Sequence, residues 1–235
     1  MHLRTFSPIP QARTTYDKPF TFMDNGEPFV QITAHTHRAI GVEPVYYLQQ
    51  IEGSWPDIYV RQTVYEKLLA IADRLPPSRQ LILYDGYRPF AVQHALFQLI
   101  QAQIAAAEPH LSVEALHEKT LTYVAWPSTQ IDASTPHLTG GAVDVTLADE
   151  TGAPLWMGSA FDETSTLSAT AYFEQQGEDA QVRDNRRELY TYMTEAGFSN
   201  YEEEWWHYEY GTKAWAARTK QSVTRYTPQQ FVPHD

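Results

Sequence analysis

The sequence contains no cysteine. No disulfide braces this fold, and any metal site must be built from His, Asp and Glu. No run of about eighteen apolar residues is present, so no helix spanning a bilayer is expected. Positive charge is scarce, with 17 Lys+Arg against 29 Asp+Glu and a formal net charge of −12. Nucleic-acid affinity rests largely on Lys and Arg neutralising phosphates, and no basic stripe stands out, so a nucleic-acid partner is not expected. A small zwitterion or a metal cation suits the charge balance better. The opening stretch "MHLRTFSPIPQARTTYDKPF" lacks the apolar segment of a secretory signal, which makes the cytoplasm the expected location. Internal repeats, low-complexity tracts and long linkers are also missing. One domain over residues 1–235, with its core at about 20–220 and peripheral termini, is the expectation.

What is present is apolar and aromatic mass, 43% hydrophobic and 13% aromatic, enough for a sizeable core. Residues 57–75 carry Val60, Val64, Leu68, Ile71 and Leu75 near helical spacing and stop before Pro76-Pro77, which predicts a helix. "QLILYDGY" (80–87) predicts a buried strand running into a turn. A helix is predicted over 90–107 behind Pro89, a weaker one over 112–120, and an amphipathic one over 179–198 ending at Gly197. "GAVDVTL" (141–147) alternates, with Val143, Val145 and Leu147 on one face and Asp144 and Thr146 on the other. That predicts a half-buried strand. "EEWWHYEY" (203–210) predicts another strand, rich in aromatics. Strand alternation and the irregular loop at 125–140 favour an α+β fold with a mostly antiparallel sheet flanked by helices.

Three stretches carry residues suited to chemistry. In "STPHLTGGAVDVTL", His137 precedes Asp144 by seven residues, with Gly140-Gly141 between them to let the backbone fold back sharply. Spacing alone also allows an incidental turn histidine and a solvent-facing Asp. In "EEEWWHYEYG", Glu204 precedes His207 by three. On a regular strand such residues face opposite ways. Both approach one ion only if Glu204 lies before the strand proper or at a bulge. The other reading is a strand histidine beside a solvated acidic edge. In "YDGYRPF", Arg88 stands between a strand end and a helix start, placed either to stabilise an oxyanion or to bond loop carbonyls. Two histidines, one Asp and a spare Glu are the parts of metal-assisted hydrolysis: three ligands, an open position for water, and a carboxylate as general base.

"DGYRP", "HLTGGAVD" and "EWWH", in that order, resemble the D-alanyl-D-alanine dipeptidases, VanX-type zinc peptidases related to the peptidoglycan D,D-carboxypeptidases. The family pattern S-x-H-x-x-G-x-A-x-D followed by E-x-x-H is met at His137, Gly140, Ala142, Asp144, Glu204 and His207. "MGSAFDE" (157–163) and "AGFSNYEEEWWHYEYG" (196–211) are similar too. The resemblance implies one Zn²⁺ per chain on His137, Asp144 and His207, with Glu204 as general base and Arg88 stabilising the tetrahedral oxyanion. It also implies that Asp162 holds the substrate's free amino group and that Ser134 and Thr135 help hold its carboxylate, within a small closed cavity. Two departures stand out. Thr135 occupies the place of the family's serine, with Ser134 one residue further back. "TAHTHRAIGVEPVYY" (33–47) replaces a Tyr-Ala-Thr-x-Asn-Phe-like stretch, and puts His35 and His37 forward as residues near the site. The implied activity is hydrolysis of D-Ala-D-Ala or a close dipeptide to free amino acids. The alternatives are a carboxypeptidase trimming peptidoglycan stem peptides of the cell wall and, in another class, a non-catalytic zinc-binding domain.

Overall fold

The computed structural model of the chain describes residues 5–11, 19–132 and 135–233. Two short strands, β1 (Phe29–Ile32) and β2 (Ile40–Val42), precede a single helical turn, α1 (Val45–Leu48). Strand β3 (Ile58–Arg61) runs straight into α2 (Gln62–Arg74). Strand β4 (Gln80–Asp85) is followed by two helices, α3 (Phe90–Ala107) and α4 (Val113–Leu121). Strand β5 (Ala142–Ala148) leads through irregular chain to α5 (Ala180–Glu195). The two short strands β6 (Ser199–Asn200) and β7 (His207–Glu209) and the helix α6 (Lys213–Arg218) complete the order.

Strands β2, β4, β5, β7 and β6 form one sheet in that order, while β1 and β3 make a separate antiparallel pair. Within the five-stranded sheet only β2 and β4 run parallel. The fold is therefore α+β with a mostly antiparallel sheet, as its strand patterning implies. Among the described residues, no helix is long and apolar enough to cross a membrane.

Strand alternation sorts the sheet into two faces. Leu81 and Leu83 of β4, Val143, Val145 and Leu147 of β5, and Tyr208 of β7 join the main core with Val64, Leu68 and Ile71 of α2 and Leu189 and Met193 of α5. At roughly 1.5–3 kcal/mol per fully buried large apolar side chain, this cluster is the main force fixing the sheet. The alternate positions face the other way. Asp144 lies opposite His207, and Ala142 opposite Glu209. That register places three polar side chains together on the second face.

The structure corrects three expectations. The helix predicted over 57–75 begins as β3: Ile58, Tyr59 and Val60 are good strand formers and pair with Ile32, Gln31 and Val30 of β1. Residue Val60 satisfies both periodicities, so spacing could not locate the boundary. Strand β5 is buried along its whole length rather than half-buried, because it is the central strand of the sheet, with α2 and α5 in the core on one face and Asp144 on the other packed among His137, His207 and Arg88. The strand predicted over 203–210 shrinks to His207–Glu209, and the residues before it form tight turns.

Candidate metal and catalytic centre

Asp144 projects from the middle of the sheet and is 1% exposed. Its neighbour on β4 sits there because of a bulge. The pairing runs Leu83 with Val145 and then Asp85 with Asp144, leaving Tyr84 as the extra residue. Such a bulge re-aims the strand end, and Asp85 arrives beside the site with Arg88 three residues on.

His137 opens a 3₁₀ turn, His137–Thr139, that ends at Gly140 with φ +73°. A β-carbon at Gly140 would lie 2.3 Å from the Phe29 ring, and one at Gly141 2.5 Å from the Tyr210 carbonyl. The two glycines thus permit a left-handed residue and a close backbone approach in succession. His137 comes back over β5 as a result.

The turn before β7 answers the spacing problem of Glu204 and His207. The Glu204 amide donates to the Tyr201 carbonyl (3.0 Å), and the His207 amide to the Glu204 carbonyl (3.4 Å). Asn200 Nδ2 donates to the carbonyls of both Glu204 and His207, 3.0 Å each. A turn rather than a strand connects the two side chains, so they share a side. Glu204 Oε2 lies 3.9 Å from His207 Nδ1.

His137 Nε2 is 3.2 Å from His207 Nδ1 and 3.4 Å from Asp144 Oδ2, and His207 Nδ1 is 3.0 Å from Asp144 Oδ1. The outward nitrogens of both rings are engaged. His137 Nδ1 faces the Gly86 carbonyl (2.8 Å), and His207 Nε2 faces Glu209 Oε1 (3.3 Å). Glu209 is in turn bound by the Thr212 hydroxyl and by Arg218 Nη1 at 3.3 Å. With their outward N–H groups donating, the rings turn two lone pairs and a carboxylate toward one point. Three acceptors facing each other require a cation or extra protons between them. One ligand atom from each residue lies within 4.8 Å of the others, all buried, so the set fits a single metal ion with oxygen and nitrogen ligands. The electrostatics agree. Burial lowers the His207 pKa, but hydrogen bonds to Asp144 and Glu209 outweigh it and push the imidazole up to about 10. Burial disfavours Asp144 ionisation, yet the two histidines hold its carboxyl well below the usual range.

Arg88 is buried among oxygen atoms. Its Nε donates to Asp85 Oδ2 (2.8 Å), Nη1 to Gln93 Oε1 (2.9 Å) and Nη2 to the Tyr46 hydroxyl (3.0 Å). Nη2 also lies 3.4 Å from Asp144 Oδ2. The Tyr46 hydroxyl donates onward to Asp162 Oδ2 (2.8 Å). Asp162 has φ +59°, a left-handed conformation uncommon for a residue other than glycine. It is an exposed residue bordering the open cavity. Desolvation of its carboxyl by the surrounding protein, reinforced by Asp144 and Glu204 and offset by Arg88 and Tyr46, pushes it up to about 7. Burial likewise raises Glu204, with Asp144 adding to the shift and His207, His137 and Arg88 opposing it.

Tyr46, Arg88, Gln93, His137, Asp144, Asp162, Glu204, His207 and Glu209 all line one cavity of about 310 Å³. Thr135 lines it too, its hydroxyl donating to the Ser128 carbonyl (3.2 Å). Ser134 lies outside the described residues. His35 and His37 do not line the cavity. His35 is exposed, and His37 accepts from the Ala39 amide and pairs with Asp73 at 3.3 Å. Glu202, expected on a solvated edge, is 3.1 Å from Arg218 Nη2. The sequence reading missed Tyr46, Asp85, Gln93 and Glu209. Two of these had a local signal: Asp85 precedes Arg88 by three, and Glu209 follows His207 by two on the same strand face. Tyr46 had none, since only the packing of α1 against β4 brings it in.

A cavity with converging metal-type donors, a carboxylate at their side and a buried arginine is the arrangement of a metal-dependent hydrolase. Comparison with known proteins specifies the group. A family model described as D-Ala-D-Ala dipeptidase, peptidase family M15, matches residues 58–228. The chain belongs to this peptidase family. A D-alanyl-D-alanine dipeptidase of Synechocystis sp. is 31% identical over 218 residues, which is 82% of this chain and 85% of that protein. The D-alanyl-D-alanine dipeptidase of Escherichia coli is 35% identical over 130 residues, 55% of this chain and 54% of the relative. That of Enterococcus faecium is 30% identical over 129 residues, 54% of this chain and 60% of the relative.

Proposed function

We propose that the protein hydrolyses D-Ala-D-Ala or a closely related dipeptide to free amino acids, using one zinc ion held by His137, Asp144 and His207. The observation that carries this reading is the position of Glu204, 3.9 Å from a ring nitrogen of the donor cluster and on the wall of the same cavity. When bound, a divalent ion polarises the scissile carbonyl and acidifies water. Glu204 takes the proton of the attacking water and returns it to the leaving amine. Its pKa, raised by burial, suits both halves of that transfer. Arg88 donates to the carbonyl oxygen as charge develops there. Asp85 and Gln93 hold the guanidinium in place, so little reorganisation accompanies the reaction. Asp162, held by the Tyr46 hydroxyl, binds the substrate ammonium. Ser134 and Thr135 contribute hydroxyls toward its carboxylate.

The test is release of free D-alanine from D-Ala-D-Ala by zinc-loaded protein, with L-Ala-L-Ala as control. The expected result is D-alanine release that a chelator abolishes and one equivalent of zinc per chain restores. Absence of any release from the loaded protein would overturn the reading.

A further inference from the structure

His207 presents its two ring nitrogens to different partners. On the Nδ1 side it faces Asp144 and His137. On the Nε2 side, 3.3 Å away, stands Glu209 Oε1. Neither proton transfer nor oxyanion stabilisation needs Glu209. It is nevertheless a carboxylate buried in the sheet, an unfavourable group to place there unless it is well paired. Three connections fix its position. Glu209 follows His207 by two on β7, so both side chains leave the same strand face. The Thr212 hydroxyl, at the cap of α6, donates to Glu209 Oε2. Arg218, the last residue of α6, donates from Nη1 to Glu209 Oε1 (3.3 Å). The Nε and Nη2 of Arg218 donate to Glu202 Oε2 (3.3 and 3.1 Å). Both ends of α6 thus hold one carboxylate in place.

The two histidines are backed unequally. His137 Nδ1 lies 2.8 Å from a neutral acceptor, the Gly86 carbonyl. Asp85 Oδ2 is further from it, at 3.3 Å, and accepts from Arg88 Nε at 2.8 Å. At His207 the outer acceptor is itself a carboxylate. A carboxylate that accepts the outer N–H fixes the ring tautomer and makes the other nitrogen a stronger metal donor. We propose that Glu209, anchored by Thr212 and Arg218, is a positioning residue of the metal centre: it keeps the Nε2–H tautomer of His207, turns the Nδ1 lone pair toward the ion and raises zinc affinity. The proposal rests on the reading of His137, Asp144 and His207 as ligands and adds the group that acts through one of them.

The experiment has two arms. In the first, zinc affinity of metal-free wild type, Glu209→Gln and Glu209→Ala is measured by competition with a chromogenic chelator, with near-UV circular dichroism reporting the fold. Gln keeps the size of the side chain and an acceptor oxygen but loses the charge. The expected result is a roughly tenfold to hundredfold loss of zinc affinity for Gln, and a loss at least as large for Ala. A role in packing alone predicts that Gln binds zinc as wild type does, and that result with an unchanged fold would overturn the proposal. The second arm needs no substitution. Heteronuclear NMR of the histidine side chains in zinc-loaded wild type should show His207 with its proton on Nε2 and the metal on Nδ1. A proton on Nδ1 would overturn the proposal whatever the variants do. His207→Ala is the control for the reading beneath it: undiminished zinc in that variant would remove the ligand set itself rather than the role of Glu209.

Discussion

The two walls of the cavity are made differently. One wall is sheet: Asp144 and His207 lie paired on adjacent strands, with Asp85 beside them through a bulge, and all are buried. The other wall is helix and loop, formed by α3, the chain beyond α4 and residues 161–164, and it keeps much more of its surface open. Bond-making chemistry tolerates little displacement, and the sheet wall is held from behind by the main core. Surfaces of the loop-wall kind can vary without unfolding the sheet. The loop wall is not slack, however. Arg186 of α5 is 1% exposed and donates to the carbonyls of Met157 (2.6 Å), Leu167 (2.6 Å) and Ala169 (2.6 Å), clamping the loop that carries Asp162.

Changes to the sheet wall and to the residues that converge on it, His137 and Arg88, should abolish function outright, and changes to the loop wall should tune it. The largest effect is expected from His137→Ala or His207→Ala. Either removes a ligand and should leave the purified protein with little zinc and no turnover, checked by elemental analysis. Undiminished metal content would contradict the ligand set.

Arg88→Lys comes next. A point charge cannot reproduce the guanidinium's fixed set of donors. Loss of one oxyanion donor costs roughly 10²–10³ in kcat. The expected result is a fall in kcat of that order with KM changed far less, and a pure KM effect would move Arg88 from chemistry to binding.

On the loop wall, Asp162→Asn should raise KM for the dipeptide about tenfold or more while kcat changes less, since a charge-assisted bond is worth roughly 1.5–3 kcal/mol. Desolvation pushes the Asp162 carboxyl up to about 7, so lowering the pH through that value should remove the negative charge proposed to hold the ammonium. Wild-type dipeptide affinity should accordingly weaken below about pH 7, and the Asn variant should lack that dependence. A KM equal to that of wild type would free Asp162 from the assigned role.

The smallest signal is calorimetric. His207 of the metal-free protein is pushed up to about 10, so at pH 7 it holds a proton that must leave before the nitrogen can bind an ion. Zinc titration in buffers of different ionisation enthalpy should report proton release on binding, and metal affinity should rise with pH over this range. Identical heats in all buffers would contradict that account.

The same division explains what the sequence made legible. The residues of the sheet wall lie in short ordered strings, "HLTGGAVD" and "EWWH", whose spacing already demanded a turn between Glu204 and His207. The strand alternation of "GAVDVTL" placed Asp144 on the face away from the core. By contrast, Tyr46 reaches Arg88 across 42 residues of chain, and nothing near it announces the contact. The strand β3 was lost because Val60 fits two periods at once.

The central claim is that metal binding and proton transfer are divided between neighbouring residues, with Glu204 serving only the second. Measuring zinc content and D-Ala-D-Ala turnover together on Glu204→Gln tests it most directly. The account predicts one bound zinc per chain, as in wild type, with kcat reduced by roughly 10²–10⁴. Near-normal turnover, or loss of the metal, would contradict it.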